Sequence, residues 1–70
     1  MSQFKTFVLN GKSYCTKELI SIFDLLLYFN YNESLLVLEH NKLVCQKQNW
    51  KKIFIKDNDN IEIVTIVGGG

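Results

Sequence analysis

Apolar and polar positions change period several times along the chain, and each change marks an element. Residues 4–9, Phe-Lys-Thr-Phe-Val-Leu, are rich in strand formers. Asn10-Gly11 follows, the pair that best tolerates positive φ and the strongest short hairpin signal. A second strand is therefore expected from about Ser13 to Lys17. The period then lengthens: Ile22, Leu25, Leu26 and Phe29 fall at i, i+3, i+4 and i+7, the stripe of an amphipathic helix. Ser21 stands where an N-cap is needed, and Asp24 three positions on resembles the second half of a capping box. The helix is expected from about Ser21 to Asn30, where Asn30–Asn32 end the pattern.

Beyond the helix, Leu35–Leu38 is a second β run. His40-Asn41-Lys42 turns the chain and Leu43-Val44-Cys45 pairs back. A short irregular stretch carries Trp50, and Ile53-Phe54-Ile55 leads into an acidic turn, Asp57-Asn58-Asp59-Asn60. The last strand is expected over 61–67, with Ile61, Ile63, Thr65 and Val67 on one face and Glu62, Val64 and Ile66 on the other. The order is thus hairpin, helix, hairpin, strand, an α+β pattern with the helix laid across one face of a mixed sheet of four to five strands. A crossover can return the last strand parallel to the first in the sheet centre. That arrangement is the β-grasp. Residues 1–67 are expected to form this single domain, and residues 68–70 a flexible glycine tail.

Composition narrows the functions available. A chain of 70 residues is one domain. A domain of this size buries only about 60% of its unfolded surface, leaving little room for a deep substrate pocket. Net charge is +1 with no basic stripe, and the densest basic stretch, Lys47–Lys52, reads as a solvated connection, so no nucleic acid partner is expected. Met1 is followed by Ser2-Gln3-Phe4-Lys5 with no apolar run after it, so neither a secretory signal nor a membrane span is expected. Cys15 and Cys45 share no metal-ligand spacing and read as buried free thiols of a reducing compartment. The chain has no Arg and no Pro but many Lys, Asn, Ile and Phe, whose codons are AT-rich. The expected location is the cytoplasm, or the plastid stroma if the protein is plastid-encoded.

The most informative stretch is 63–70, in which a strongly β-forming segment, Ile63–Val67, runs directly into Gly68-Gly69-Gly70. Lacking a side chain, glycine can thread a channel that any Cβ blocks. Three extended residues reach roughly 10 Å, enough to carry a terminal carboxylate into another protein's active site.

Asp57-Asn58-Asp59-Asn60-Ile61-Glu62-Ile63-Val64 followed by glycines resembles the ThiS family pattern of an acidic Asp-Gly-Asp turn, then Ile-Glu-Ile-Val, then a terminal Gly-Gly. Asn10-Gly11 matches the family's first turn, and Trp50 a recurrent tryptophan of its bacterial members. The resemblance runs the length of the chain. It departs at Asn58, where the family usually has Gly, and at Cys45-Gln46, where it often has Pro-Arg. Asn is the next-best residue for a left-handed position, so the acidic turn is expected to survive.

The resemblance implies a ubiquitin-like β-grasp and a sulfur carrier of thiamine biosynthesis that is not itself an enzyme. It makes Gly70 the modified residue and Gly68, Gly69 and Gly70 the arm for a partner's channel. It implies a ThiF-like adenylating enzyme that uses ATP and Mg²⁺, a persulfide enzyme as sulfur donor, and a ThiG-like thiazole synthase as acceptor. No cofactor or metal is expected on this chain. Partner docking is expected on the sheet face opposite the helix, at Leu43, Val64 and Ile66, with Phe7 or Val8 as further candidates.

Other chemistry reads poorly. His40 lies in an expected hairpin turn and reads as exposed, without the acid and nucleophile of a triad. Asp57, Asp59 and Glu62 read as turn and strand-surface residues before they read as metal ligands. Neither cysteine has a basic neighbour in sequence to activate it, and Trp50 reads as a packing residue. Two alternatives share the tail: a molybdopterin-synthesis carrier (MoaD-like), usually longer, and a ubiquitin-like protein modifier (Urm-like).

Overall fold

The computed structural model describes residues 3–32 and 35–66. Their elements run β1 (Lys5–Leu9), β2 (Lys12–Thr16), α1 (Ile22–Tyr28), β3 (Leu36–His40), β4 (Leu43–Val44), a 3₁₀ turn (Lys47–Asn49) and β5 (Asn60–Thr65). The strands form one mixed sheet in the order β2-β1-β5-β3-β4. As expected of a β-grasp, which this topology is, β5 lies centrally and runs parallel to β1, with Val8 opposite Asn60 and Leu9 opposite Ile61. It runs antiparallel to β3, from Leu36 opposite Thr65 to His40 opposite Ile61.

Local chemistry accounts for each boundary. Asn10 and Gly11 both take positive φ, 50° and 80°, which closes β1–β2 as a two-residue hairpin of the twist-matching kind. Asn41 and Lys42 do the same between β3 and β4 at 53° and 72°. His40 therefore belongs to the end of β3, not to the turn, and Cys45 lies past the end of β4. Ser21 and Asp24 form the full capping box, each side chain accepting from the other's backbone amide at 3.1 and 2.9 Å. The helix is shorter than its apolar stripe suggests. Asn30 enters the left-handed region at φ 60°, and the amides of Asn30 and Tyr31 turn back onto the carbonyls of Leu27 and Leu26. This Schellman closure ends the helix one turn past Leu25 and Leu26.

The core is the face that strand and helix periodicities turn toward each other. Phe7, Leu9, Leu36, Leu38, Ile61 and Ile63 come from the sheet, and Ile22, Leu25 and Leu26 from the helix. Cys45, Trp50 and Ile55 close it from the crossing segment, where the Trp50 indole donates to the Cys45 carbonyl at 2.9 Å. Ile53–Ile55 forms no strand of its own; Phe54 makes a single bridge to Ser21.

Several expectations need correction. Phe7 is buried, so it belongs to the core and not to a docking face. Cys15 is exposed, because alternation with the inward-turned Tyr14 points it outward; Cys45 is buried, and both are free thiols. Thr65 is exposed although it shares the inward alternation of Ile61 and Ile63, since it lies at the end of β5.

Candidate functional site

The two ends of β5 are built differently. At its start, Asp57 accepts from the Thr6 amide at 2.8 Å, and Asn58 takes φ 69°. Asp59 is buried and accepts from three groups: the Lys56 amide at 2.8 Å, the Asn41 side chain at 3.0 Å and His40 Nε2 at 2.9 Å. Burial alone pushes the Asp59 carboxyl up, but the hydrogen bonds from His40, Asn41 and the Lys56 amide outweigh it and hold the group below its ordinary value. His40 is thus half-buried and engaged with an acid, contrary to its reading as an exposed turn residue. Sequence reasoning missed this pair because its members are 19 positions apart and meet only when β3 pairs with β5.

Beyond Ile61, β5 outruns β1 and pairs with β3 alone. Asn10 supplies the missing partner, its side-chain oxygen accepting from the Ile63 amide at 2.7 Å. The last described contact is the Ile66 amide on the Leu35 carbonyl. The end of the sheet's central strand thus lies beside the β1–β2 turn, and Gly68, Gly69 and Gly70 follow it in sequence. Those three glycines lie outside the described residues, as does Val67.

The sheet face opposite the helix is partly apolar. Val64 and Ile66 are 64% and 51% exposed. Val64 stands directly opposite Val37, and Val44 opposite Glu39, so Val37, Val44 and Val64 share this side. Leu43 does not join them. It is 74% exposed, but it stands opposite His40, which shares the alternation of the buried Leu36 and Leu38, so it lies on the helix side of the sheet's far edge. The alternation Leu36-Val37-Leu38-Glu39 was the signal for Val37. Glu39 and Glu62 also stand opposite each other on this face, a like-charge pair that costs stability in a sheet.

Other candidates have structural roles. Burial pushes the Cys45 thiol up, away from nucleophilic character. Asp57 and Asp59 spend their oxygens on the turn and its neighbours, and no metal-binding cluster of His, Cys, Asp or Glu occurs among the described residues. No described helix is long and apolar enough to cross a membrane.

Comparison with known proteins agrees with this geometry. The family described as "ThiS family" matches residues 7–70. The chain belongs to the ThiS family. Among relatives, it is 36% identical over 63 residues to the sulfur carrier protein ThiS of Bacillus subtilis, covering 89% of this chain and 96% of that one. It is 59% identical over 70 residues to a protein named ycf40 from Trieres chinensis, covering 100% of this chain and 96% of that one. The crystal structure of the thiamine biosynthesis protein ThiS from Geobacter metallireducens superposes with a TM-score of 0.78 at 24% identity. That superposition covers 93% of this chain and 99% of the other, and shows the shared fold. Within the ThiS family pattern, Asn58 replaces the usual glycine at a left-handed position and does so without breaking the turn.

Proposed function

We propose that this protein is a sulfur carrier of thiamine (thiazole) biosynthesis whose working group is the carboxylate of Gly70. The observation that carries the reading is the family match, which runs through the terminal glycines to residue 70. The central position of β5 supports it, because a strand held on both sides at its start gives a firm base for an arm.

The chemistry belongs to partners. A carboxylate is a poor acyl donor, so a ThiF-like enzyme joins a Gly70 oxygen to the α-phosphorus of ATP, with Mg²⁺ on the phosphates and pyrophosphate leaving. The outer sulfur of a persulfide then attacks the acyl carbon and AMP leaves. Cleavage of the resulting S–S bond by a second thiol leaves a thiocarboxylate, which a ThiG-like thiazole synthase consumes. This chain acts as substrate, not catalyst. It supplies the carboxylate, the Gly68–Gly70 arm and a docking face that includes Val37, Val64 and Ile66; Leu43, on the helix side of the sheet, is not part of that face. The expected location is the cytoplasm, or the plastid stroma for a plastid-encoded chain.

The test is intact-mass analysis after incubation with ATP, an adenylating enzyme and a sulfur source. Exchange of one C-terminal oxygen for sulfur is the expected result. A product joined through Gly70 to a lysine of another protein, with no free thiocarboxylate, overturns it in favour of a modifier.

A further inference from the structure

A groove of about 450 Å³ lies between α1 and the β1–β2 hairpin, on the opposite side of the domain from the docking face. Its floor is an unbroken run of aromatic rings. Phe7 stacks on Tyr14 at 5.8 Å, Tyr14 meets Phe29 edge-on at 5.1 Å, and Phe29 meets Tyr28 edge-on at 5.1 Å. Tyr28 is nonetheless 81% exposed, so the run ends in a ring that the fold itself leaves uncovered.

The groove is flanked by a free sheet edge. β2 is the terminal strand on this side. In a two-residue hairpin the residues bracketing the turn exchange hydrogen bonds, so Lys12, Tyr14 and Thr16 bond inward to β1. The main-chain N–H and C=O of Ser13 and Cys15 therefore point outward, and both residues are exposed with small side chains. A strand added here turns every second side chain onto the aromatic floor, because Tyr14 marks the side of β2 that faces the helix. The lining includes two carboxylates, Glu18 just past the end of β2 and Asp24 in the first turn of α1, and no Lys, Arg or His, beside the neutral Tyr14, Cys15 and Tyr28. The nearby Lys17 is turned away, over the Phe4 ring at 4.8 Å.

We propose that this groove binds an extended peptide segment of a partner protein. The segment adds as a strand to β2, places alternate aliphatic side chains on Tyr14, Phe29 and Tyr28, and carries lysine or arginine beside Glu18 and Asp24. Among the described residues, none of β5 lines the groove.

The experiment is a titration of the ¹⁵N-labelled full chain with the peptide acetyl-Lys-Lys-Val-Thr-Ile-Thr-Val-amide, followed by NMR. Amide shifts are expected over residues 13–16 and 24–29. A peptide with Glu-Glu in place of Lys-Lys binds more weakly, and Glu18→Lys reverses that preference. Tyr28→Ser, at an exposed position, weakens binding about tenfold, as loss of an interface aromatic does. Cys15→Pro removes one outward N–H at an edge position where proline is tolerated, and abolishes strand addition. The proposal is overturned if millimolar peptide moves none of these amides, if shifts fall instead at Val37 and Val64, or if both peptides bind equally. Shifts of residues 13–16 on concentrating the protein alone also overturn it, because the occupant is then a second copy.

Discussion

The start and the end of β5 belong to one strand and meet opposite fates. Asn60 and Ile61 are paired on both sides, to β1 and to β3, and the turn before them is held by Asp57 and Asp59. Val64 and Thr65 are paired on one side and exposed. Strand propensity would rank these halves the other way: Ile63-Val64-Thr65 is all strand formers, whereas Asn60-Ile61-Glu62 holds one. What separates them is where the neighbour β1 stops, at the Asn10-Gly11 turn. One strand is thus anchored on both sides at one end and on one side only at the other.

The largest effect expected of this division is on sulfur loading. Deleting Gly70, or replacing it with a bulky residue, should abolish the oxygen-to-sulfur exchange seen by intact mass, with the melting temperature unchanged. A truncated protein that still acquires sulfur at its C-terminus sinks the assignment of Gly70.

At the anchored end, Ile61 is wholly buried. Ile61→Ala should cost about 2–5 kcal/mol in denaturant unfolding, through lost transfer energy and the cavity left behind. A cost below about 1 kcal/mol would mean that the start of β5 is not the anchor.

Asp59→Asn should cost about 1–3 kcal/mol, because the charge-assisted bonds from His40, Asn41 and the Lys56 amide are weakened together. The sign of the pH effect follows. The folded carboxyl titrates below its ordinary 3.8, so its contribution is present above about pH 4 and is lost as pH falls through the lower folded value. Urea midpoints measured from pH 6 to pH 2 should fall on the acid side in the parent and less steeply in Asp59→Asn. Equal slopes would place the acid sensitivity elsewhere.

Asn10→Gly suits the turn but removes the acceptor for the Ile63 amide, and should cost about 1 kcal/mol, read by hydrogen exchange at Ile63. The smallest effect belongs to the outgoing end. Val64→Thr, on the open face, should change stability within about ±0.5 kcal/mol. A larger loss would show that the open face carries folding energy and that the two ends of β5 are not distinct.

What the sequence by itself determined is what acts over a few residues. The Asn10-Gly11 hairpin, the Ser21–Asp24 capping box and the turn around Asn58 are each decided by backbone chemistry within four positions. The stripe of Ile22, Leu25 and Leu26 and the alternation at Ile61 and Ile63 are equally local, and all five are core residues. The ThiS family pattern was legible because it, too, is an order of local motifs. Only the tertiary structure decided what depends on register and on where a neighbour ends. It joined His40 to Asp59 across two strands, gave Asn10 a second task on Ile63, and set Leu43 and Val64 on different sides of the sheet. A one-residue change in pairing reverses which face a side chain takes, and nothing in a single strand's composition specifies that pairing.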